Sequence, residues 1–408
     1  MAHPESPVGT FDVPWRTRLV VGPGTLSRLG ELALEQGIRR ALLVTDAGIV
    51  AAGHAGRATE VLRAAGVEVA LFDAVRENPT TLDIDRCLEV ARAAAIDGFI
   101  GLGGGSSMDT AKGTNFLRTN GGAMKDYWGM GKARLPMLPL LAIPTTAGTG
   151  SECQSAALIA DEATHRKMAC LDPKAAARVA LLDPELTLSQ PRRVTAVTGV
   201  DAVTHAVEAA VTRRRHALSY LHAREAFVLL ARNLSTVLRE PGNLAARAAM
   251  QLGAAHAGIA IEMSMLGAAH AAANPLTARF NVVHGAAVGL MLPAVVRFNA
   301  ADPLAAQAYA DLAVAAGIAG RHLPVATAVD LLLEALCALL DEADIPPRLD
   351  LAGVDVAQIP ALAEDAAQQW TGSFNPRPVT AADFAALYHV AADGRGRRTQ
   401  ATGSDLEY

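Results

Sequence analysis

The feature that most constrains this chain is a change of periodicity part-way along it. From residue 17 to about 185, short apolar or β-branched runs alternate with helical stretches; after Pro191 strand formers become scarce and helical spacing takes over. TRLVVG (17–22) precedes a helical stretch from Gly24 to Gln36, and ALLVTD (41–46) precedes one near Gly56–Ala65. VEVALFD (67–73) precedes one over Leu82–Ala95, and FIGLGGGS (99–106) runs into a glycine-rich turn. Buried strands separated by helices of this length read as βαβ units, and therefore as a parallel, doubly wound sheet. The later runs LPLLAIP (138–144), QSAALIAD (154–161) and RVALLDP (178–184) are candidates to extend it. Segments 194–212, 217–239, 245–261 and 325–343 are Ala- and Leu-rich at helical spacing, so the second half is expected to be all-helical. Pro184 and Pro191 bracket the change, which places one domain at 1–188 and the other at 189–408.

Composition agrees and narrows the function. The chain has 408 residues, too many for one ordinary core, and 51% of them are apolar. The net charge is −5, and the densest basic runs, Arg213–Arg215 and Arg395–Arg398, read as a solvated helix end and a tail, so no nucleic-acid partner is expected. The polar tail from Gly394 onward is expected to be loosely ordered. Cys87, Cys153, Cys170 and Cys337 form no C-x-x-C, which argues against a zinc ribbon or a disulfide framework. The start, MAHPESPVGTFDVPW, has no basic region followed by an apolar core, and no apolar run approaches about 20 residues. The expectation is a cytoplasmic protein without a membrane partner.

Three features of the first half point to a dinucleotide. Gly101-Leu102-Gly103-Gly104-Gly105-Ser106 closes a strand and opens the helix that carries Asp109 and Lys112. Glycines let backbone approach a pyrophosphate, and a helix N-terminus offers free N–H groups and positive potential. Asp46 ends the strand ALLVTD, where a carboxylate can accept from a ribose 2′-OH and repel a 2′-phosphate; it reads equally well as a helix N-cap. Thr145 to Glu152, TTAGTGSE, follows the strand LPLLAIP and sets small hydroxyl donors between glycines.

The second half carries a different pattern. Asp201 and His205 stand at i and i+4 in GVDAVTHAVEAA and project from one helical face, which alone reads more often as a solvated acid beside a core histidine. His270, in AAHAAANP, and His284, at a V-V-H-G helix start, complete one carboxylate and three imidazoles, a set suited to a divalent transition metal. Such a metal polarises a carbonyl oxygen or lowers the pKa of an alcohol, as hydride transfer requires. His216, His222, His256 and His389 lack such a pattern and are read as surface or packing residues.

Together these residues resemble the iron-containing (group III) alcohol dehydrogenase family, from about residue 14 to 392. Its GGGSxxDxAK is matched by Gly103–Lys112, TTAGTGSE by Thr145–Glu152, and G-x-DAxTHAxE by Gly199–Glu208. Its long histidine segment is matched by His270, Asn274-Pro275-Leu276 and His284-Gly285, and its NPRPxT element by Asn375–Thr380. The resemblance implies an N-terminal Rossmann-like, doubly wound parallel-sheet domain for the dinucleotide, then a C-terminal helical metal-binding domain, with the active site in the cleft between. It implies Asp201, His205, His270 and His284 as ligands of Fe(II) or Zn(II). It implies Asp46, Asn78, Gly105, Ser106, Thr145, Thr146, Thr149 and Lys167 as cofactor contacts, with Asp109 of the glycine-turn helix counted among the cofactor-binding residues, and NAD ahead of NADP through Asp46. A small alcohol or aldehyde is the implied substrate, and a homo-oligomer, dimer or larger, the implied assembly.

The chain departs from the family at one telling place. Asn274 stands where many members carry a proton-relay histidine, and an amide does not titrate near neutral pH. Ile261 and Glu262 replace a different pattern, and Trp370 and Phe374 add bulk before NPRPxT, so an altered substrate pocket is expected from these four. The alternatives are a maleylacetate-reductase-like or other specialised reductase, and a non-catalytic relative that binds NAD and metal.

Overall fold

The computed structural model describes residues 11–164 and 166–394. The basic run Arg395–Arg398 and the tail beyond Gly394 lie outside the described residues.

The first half alternates as its periodicity predicts. β1 (Arg18–Val21) leads through a 3₁₀ turn to α1 (Leu29–Glu35), then β2 (Arg40–Val44), α2 (Ala47–Ala51) and α3 (His54–Ala64). β3 (Glu68–Phe72), α4 (Thr81–Ala93), β4 (Gly98–Gly103) and α5 (Gly105–Asn120) follow. After them come β5 (Gly129–Met130), β6 (Leu140–Pro144), β7 (Ala156–Ala160), β8 (Lys167–Leu171) and β9 (Val179–Leu182). Six strands form one sheet in the order β1-β9-β6-β4-β2-β3, every neighbouring pair parallel. Alternate residues serve two cores: Leu43, Ile100, Leu102, Leu141 and Ile143 pack with Leu29, Leu32 and Leu62, while Leu42, Val44, Phe99 and Leu140 pack with Met108 and Ala111. Burial on both faces is what a parallel sheet with helical crossovers demands.

The expected sheet needs one correction. The runs holding β6 and β9 join it, but QSAALIAD does not. Its strand β7 pairs antiparallel with β8, which pairs with β5, in a separate three-stranded sheet.

The second half is helical among the described residues: α6 (Arg192–Ala209), α7 (Ala217–Arg239), α8 (Leu244–Ser264), α9 (Ala268–Phe280) and α10 (His284–Asn299), then α11 (Pro303–Ala316), α12 (Val325–Glu342), α13 (Ile359–Ala367) and α14 (Ala381–Ala392). Two compact units interleave along the chain, one built from Phe11–Thr195 with Glu240–Glu262, the other from Ala196–Arg239 with residues 263–394. Most of α8 sits in the α/β unit, although it follows Pro191 in the chain. The reason is visible at Gly150, where an added Cβ would lie 2.6 Å from Gly258 Cα, so loop and helix meet backbone to backbone. Gln251 Nε2 donates to Pro144 O at 2.9 Å, and Leu252, Ala255 and Ile259 pack with Ala180 and Leu182. No single described helix is long and apolar enough to cross a membrane.

Candidate functional site

In the α/β unit, β4 and β6 are parallel neighbours, so the turns at their C-terminal ends lie side by side. Thr145 N donates to Gly103 O at 3.0 Å, tying the two turns together. Gly103 has φ +148, and a Cβ there would come 2.4 Å from Ser107 Oγ; one on Gly105 would come 2.9 Å from Thr149 Cγ2. A side chain at either position would force its neighbour to move, and Gly103 also has a backbone conformation that favours glycine. α5 begins after Gly104 with no capping side chain and no acid in its first turn, which leaves its amide end suited to an anion. Gly104 faces Thr146, and Ser106, Thr146 and Thr149 are half-buried around this end while Thr145 is buried. Asp46 meets both of its readings. Oδ1 caps α2 by accepting from Ile49 N at 3.0 Å, and Oδ2 lies 3.5 Å from the Cβ position of Gly103, at the glycine turn. Asn78, with φ 52, and Lys167 are exposed, in the β3–α4 connection and at the start of β8.

Asp109 and Lys112 make their hydrogen bonds within the protein. The Lys112 side chain is fully buried and Nζ donates to Ser151 O (2.6 Å), Ser151 Oγ (2.8 Å), Gln154 O (2.8 Å) and Ala156 O (3.0 Å). Asp109 accepts from Ser151 Oγ at 2.9 Å and Leu158 N at 3.3 Å, so its oxygens serve the TTAGTGSE loop and β7 from below. Burial drives the Asp109 carboxyl up and the Lys112 ammonium down, each opposed by the other's charge. Glu262 is likewise engaged: it accepts from Ser155 N (2.9 Å), Ser155 Oγ (2.6 Å) and Arg16 Nη1 (3.2 Å), which braces the start of β7. Its neighbour Ile261 is buried.

In the helical unit, α6 presents Asp201 and His205 one turn apart, α9 presents His270, and His284 is the first residue of α10. Gly285 brings α10 onto α6, since a Cβ there would fall 2.0 Å from Val197 O. Around Asp201 Oδ1 stand His205 Nε2 at 3.3 Å, His270 Nε2 at 3.4 Å and His284 Nε2 at 3.8 Å. Ligand atoms of Asp201, His270 and His284 all lie within 4.8 Å of one another; His205 joins through Asp201 and stacks on His270, ring centroids 4.8 Å apart. Asp201, His205 and His270 are buried, and the His284 side chain is 28% exposed, so the cluster opens on that side. Asp201 Oδ1 and His270 Nε2 are both buried without a hydrogen-bond partner, although 3.4 Å apart.

The imidazoles around Asp201 Oδ1 attract it by charge, but hydrogen-bond geometry is not met, and buried polar atoms in that state favour a further partner. A divalent cation is such a partner, and one carboxylate with three imidazoles is a donor set it accepts. Burial alone would raise the Asp201 carboxyl; the charge of His205, the close polar approach of His270 and the charges of His284 and His270 reverse this and hold it below the usual carboxylate range. Burial would lower His270, but Glu208 and Asp201 outweigh it and push the imidazole up to about 9.

Three further residues belong here. Glu208, on α6, contacts His270 and the backbone of Ala269, and Asn375 and Asn299 hydrogen-bond each other beside the start of α9. Glu208 stands seven residues after Asp201, close to the same helical face, and that spacing is the one sequence signal that links it to the cluster. Asn274 lies one turn beyond His270 on α9, half-buried, and its Nδ2 donates to Gln369 Oε1 at 3.0 Å. Trp370 and Phe374 pack edge to face, centroids 5.7 Å apart, with Trp370 exposed.

Residues 16–184 match the family model described as iron-containing alcohol dehydrogenase, and residues 195–392 match that of the Fe-containing alcohol dehydrogenase family, C-terminal. Lactaldehyde reductase of Escherichia coli (strain K12) is 35% identical over 91% of this chain and 96% of its own length. The crystal structure of a 1,3-propanediol oxidoreductase superposes with a TM-score of 0.91 at 32% identity, covering 94% of this chain and 100% of that one. Sulfoacetaldehyde reductase from Bifidobacterium kashiwanohense, solved in complex with NAD+, superposes at 0.84 with 26% identity over 94% of this chain and 99% of its own.

Proposed function

The chain belongs to the iron-containing alcohol dehydrogenase family, and on that premise we propose that it moves hydride between NAD(H) and the carbinol or carbonyl carbon of a short alcohol–aldehyde pair, with Asp201, His205, His270 and His284 holding a divalent metal. It is an oxidoreductase acting on alcohols and aldehydes. The observation that carries the metal reading is the pair of buried, unpartnered atoms Asp201 Oδ1 and His270 Nε2, facing each other at 3.4 Å.

When bound, the metal supplies Lewis-acid polarisation of the substrate oxygen. Asp201 contributes the one negative charge of the set, and the partly exposed side at His284 is where a substrate oxygen would enter. Three nitrogens and one oxygen accommodate Fe(II) and Zn(II) alike.

The amide end of α5 would take the pyrophosphate, with Gly105 and Ser106 at the turn and Thr145, Thr146 and Thr149 as hydroxyl donors beside it. Asp46 Oδ2 would accept from the ribose 2′-OH, and its charge favours NAD over NADP. Asn78 and Lys167 are proposed to contact the cofactor from the exposed rim, while Asp109 acts through the loop it supports. Asn274 holds Gln369 and cannot exchange a proton near neutrality, so proton transfer runs through solvent or the cofactor's hydroxyls.

Relatives named for lactaldehyde and 1,3-propanediol support a small, polar substrate. The division at 188/189 is supported by the two matched family regions, which end at 184 and begin at 195. Four buried cysteines outside any disulfide fit the proposed cytoplasmic location, and a homo-oligomer belongs to the same reading.

The test is oxidation of NADH and of NADPH followed by absorbance over a panel of aldehydes, with stripped protein reloaded separately with Fe(II) and Zn(II). Metal-dependent turnover that prefers NADH is expected. Turnover that survives chelation would refute the metal's role, and NADPH preference would refute that of Asp46.

A further inference from the structure

Glu208 is 3% exposed, and both of its oxygens are directed at the start of α9. Oε2 lies 2.5 Å from His270 Nδ1, and Oε1 accepts from Ala269 N at 2.6 Å. α9 begins after Gly267, which offers no capping side chain. None would fit, because a Cβ on Gly267 would come 3.0 Å from both Glu208 Oε1 and Asn375 Oδ1. The first amides of the helix therefore find acceptors elsewhere: Ala268 N at Asn375 Oδ1, 3.3 Å away, and Ala269 N at Glu208.

Resting on the metal reading above, we infer that Glu208 is a positioning residue for the metal. One oxygen caps α9 and fixes how the helix is rotated. The other accepts from His270 Nδ1, which keeps the proton on that nitrogen and turns the lone pair of Nε2 toward Asp201 Oδ1. A glutamine of the same size cannot serve both partners. If its amide nitrogen faces Ala269 N–H, two donors oppose each other. If it faces His270 Nδ1, the ring accepts there and carries its proton on Nε2, the atom the metal needs.

Asn375 supplies the contrast. It caps Ala268 and is itself held by Asn299 Nδ2 (3.0 Å), Asn299 Oδ1 (2.7 Å) and Arg377 O (2.8 Å), with no hydrogen bond to a ligand ring. It supports the helix without setting a tautomer.

The experiment titrates metal-stripped protein with Co(II) alone, read by its visible d–d absorption, and with Zn(II) in competition with a chromophoric chelator. Wild type is expected to take up metal at a site that H270A removes; no uptake sinks the metal reading and this inference with it. Given uptake, E208Q is expected to bind Zn(II) about 10–100-fold more weakly and to change the Co(II) spectrum. N375A is expected to lower the thermal midpoint while leaving affinity and spectrum as in wild type. An E208Q variant with wild-type affinity and spectrum overturns the assignment. So does N375A if it weakens metal as much as E208Q, because Glu208 would then be helix support alone. Should E208Q fail to fold, E208D decides: its shorter carboxylate reaches one partner at a time, so a weaker site is expected and an unchanged one overturns the inference.

Discussion

Each unit of this protein buries a cluster of charged side chains, and the two clusters are finished in opposite ways. In the α/β unit, Lys112 Nζ has four oxygen acceptors and both oxygens of Asp109 are used, all within the protein. In the helical unit, Asp201 Oδ1 and His270 Nε2 are buried without hydrogen-bond partners. Buried polar groups are normally paired, so closure fits the first cluster to a supporting role, and the open atoms of the second are what the proposed metal would satisfy. Type of residue does not separate them, since both are conspicuous ionisable groups in motifs. What separates them is where the hydrogen bonds go.

The largest effect should come from the open cluster. Asp201→Ala or His270→Ala is expected to lower kcat/KM by at least ~10³-fold, the equivalent of several kcal/mol of lost charge stabilisation. Cofactor binding in either variant, measured by NADH fluorescence, should stay near wild type; a matching loss of NADH affinity would show that the clusters are not separable. Lys112→Met should do the reverse. Leaving Asp109 buried and uncompensated is expected to destabilise by about 3–5 kcal/mol, read by denaturant unfolding, while Zn(II) affinity of the folded fraction holds.

A pH titration sharpens the contrast further. His270 is raised in the folded protein to about 9, above its ordinary value of 6.5. Its protonation therefore stabilises the metal-free protein fully below pH 6.5, and that contribution fades as pH climbs toward 9. Metal competes with the same proton, so Zn(II) affinity should rise across this window, and the loaded protein should lack the decline in stability. A flat affinity from pH 6.5 to 9 would contradict the placement of His270 among the ligands. The smallest expected effect is at Asp46. Asp46→Ala should destabilise by about 0.5–2 kcal/mol through loss of the α2 cap, and the NADPH-to-NADH ratio of kcat/KM should rise. An unchanged ratio would leave Asp46 a cap and nothing more.

Much of this was legible without coordinates, and the failures have physical reasons. The alternation of strand and helix through residue 185 fixed the parallel sheet because both of its faces are apolar. Asp201 and His205 were legible as a pair because helical spacing puts them on one face. No spacing relates His270 or His284 to them; residue type and helical context made those two candidates, and the family resemblance supplied the full set. QSAALIAD was recognisable as a strand but not assignable to its sheet, since its partner β8 is chosen by tertiary contacts. The same limit hid α8's place in the α/β unit, which turns on Gly258 meeting Gly150. The roles of Glu208 and Glu262 were out of reach for a related reason. An acid on an Ala-rich helix reads as a solvated face until the partners of each oxygen are known, and those partners put Glu208 at His270 and Glu262 at Ser155.

The most direct measurement is metal uptake by stripped protein, counted per chain while NADH oxidation with an aldehyde is followed in the same samples. One tightly held Fe(II) or Zn(II) per chain, absent from the His270→Ala variant, with activity returning in proportion to occupancy, is the expected result. Full activity without bound metal, or undiminished uptake by His270→Ala, would contradict the assignment of the open cluster as the metal site.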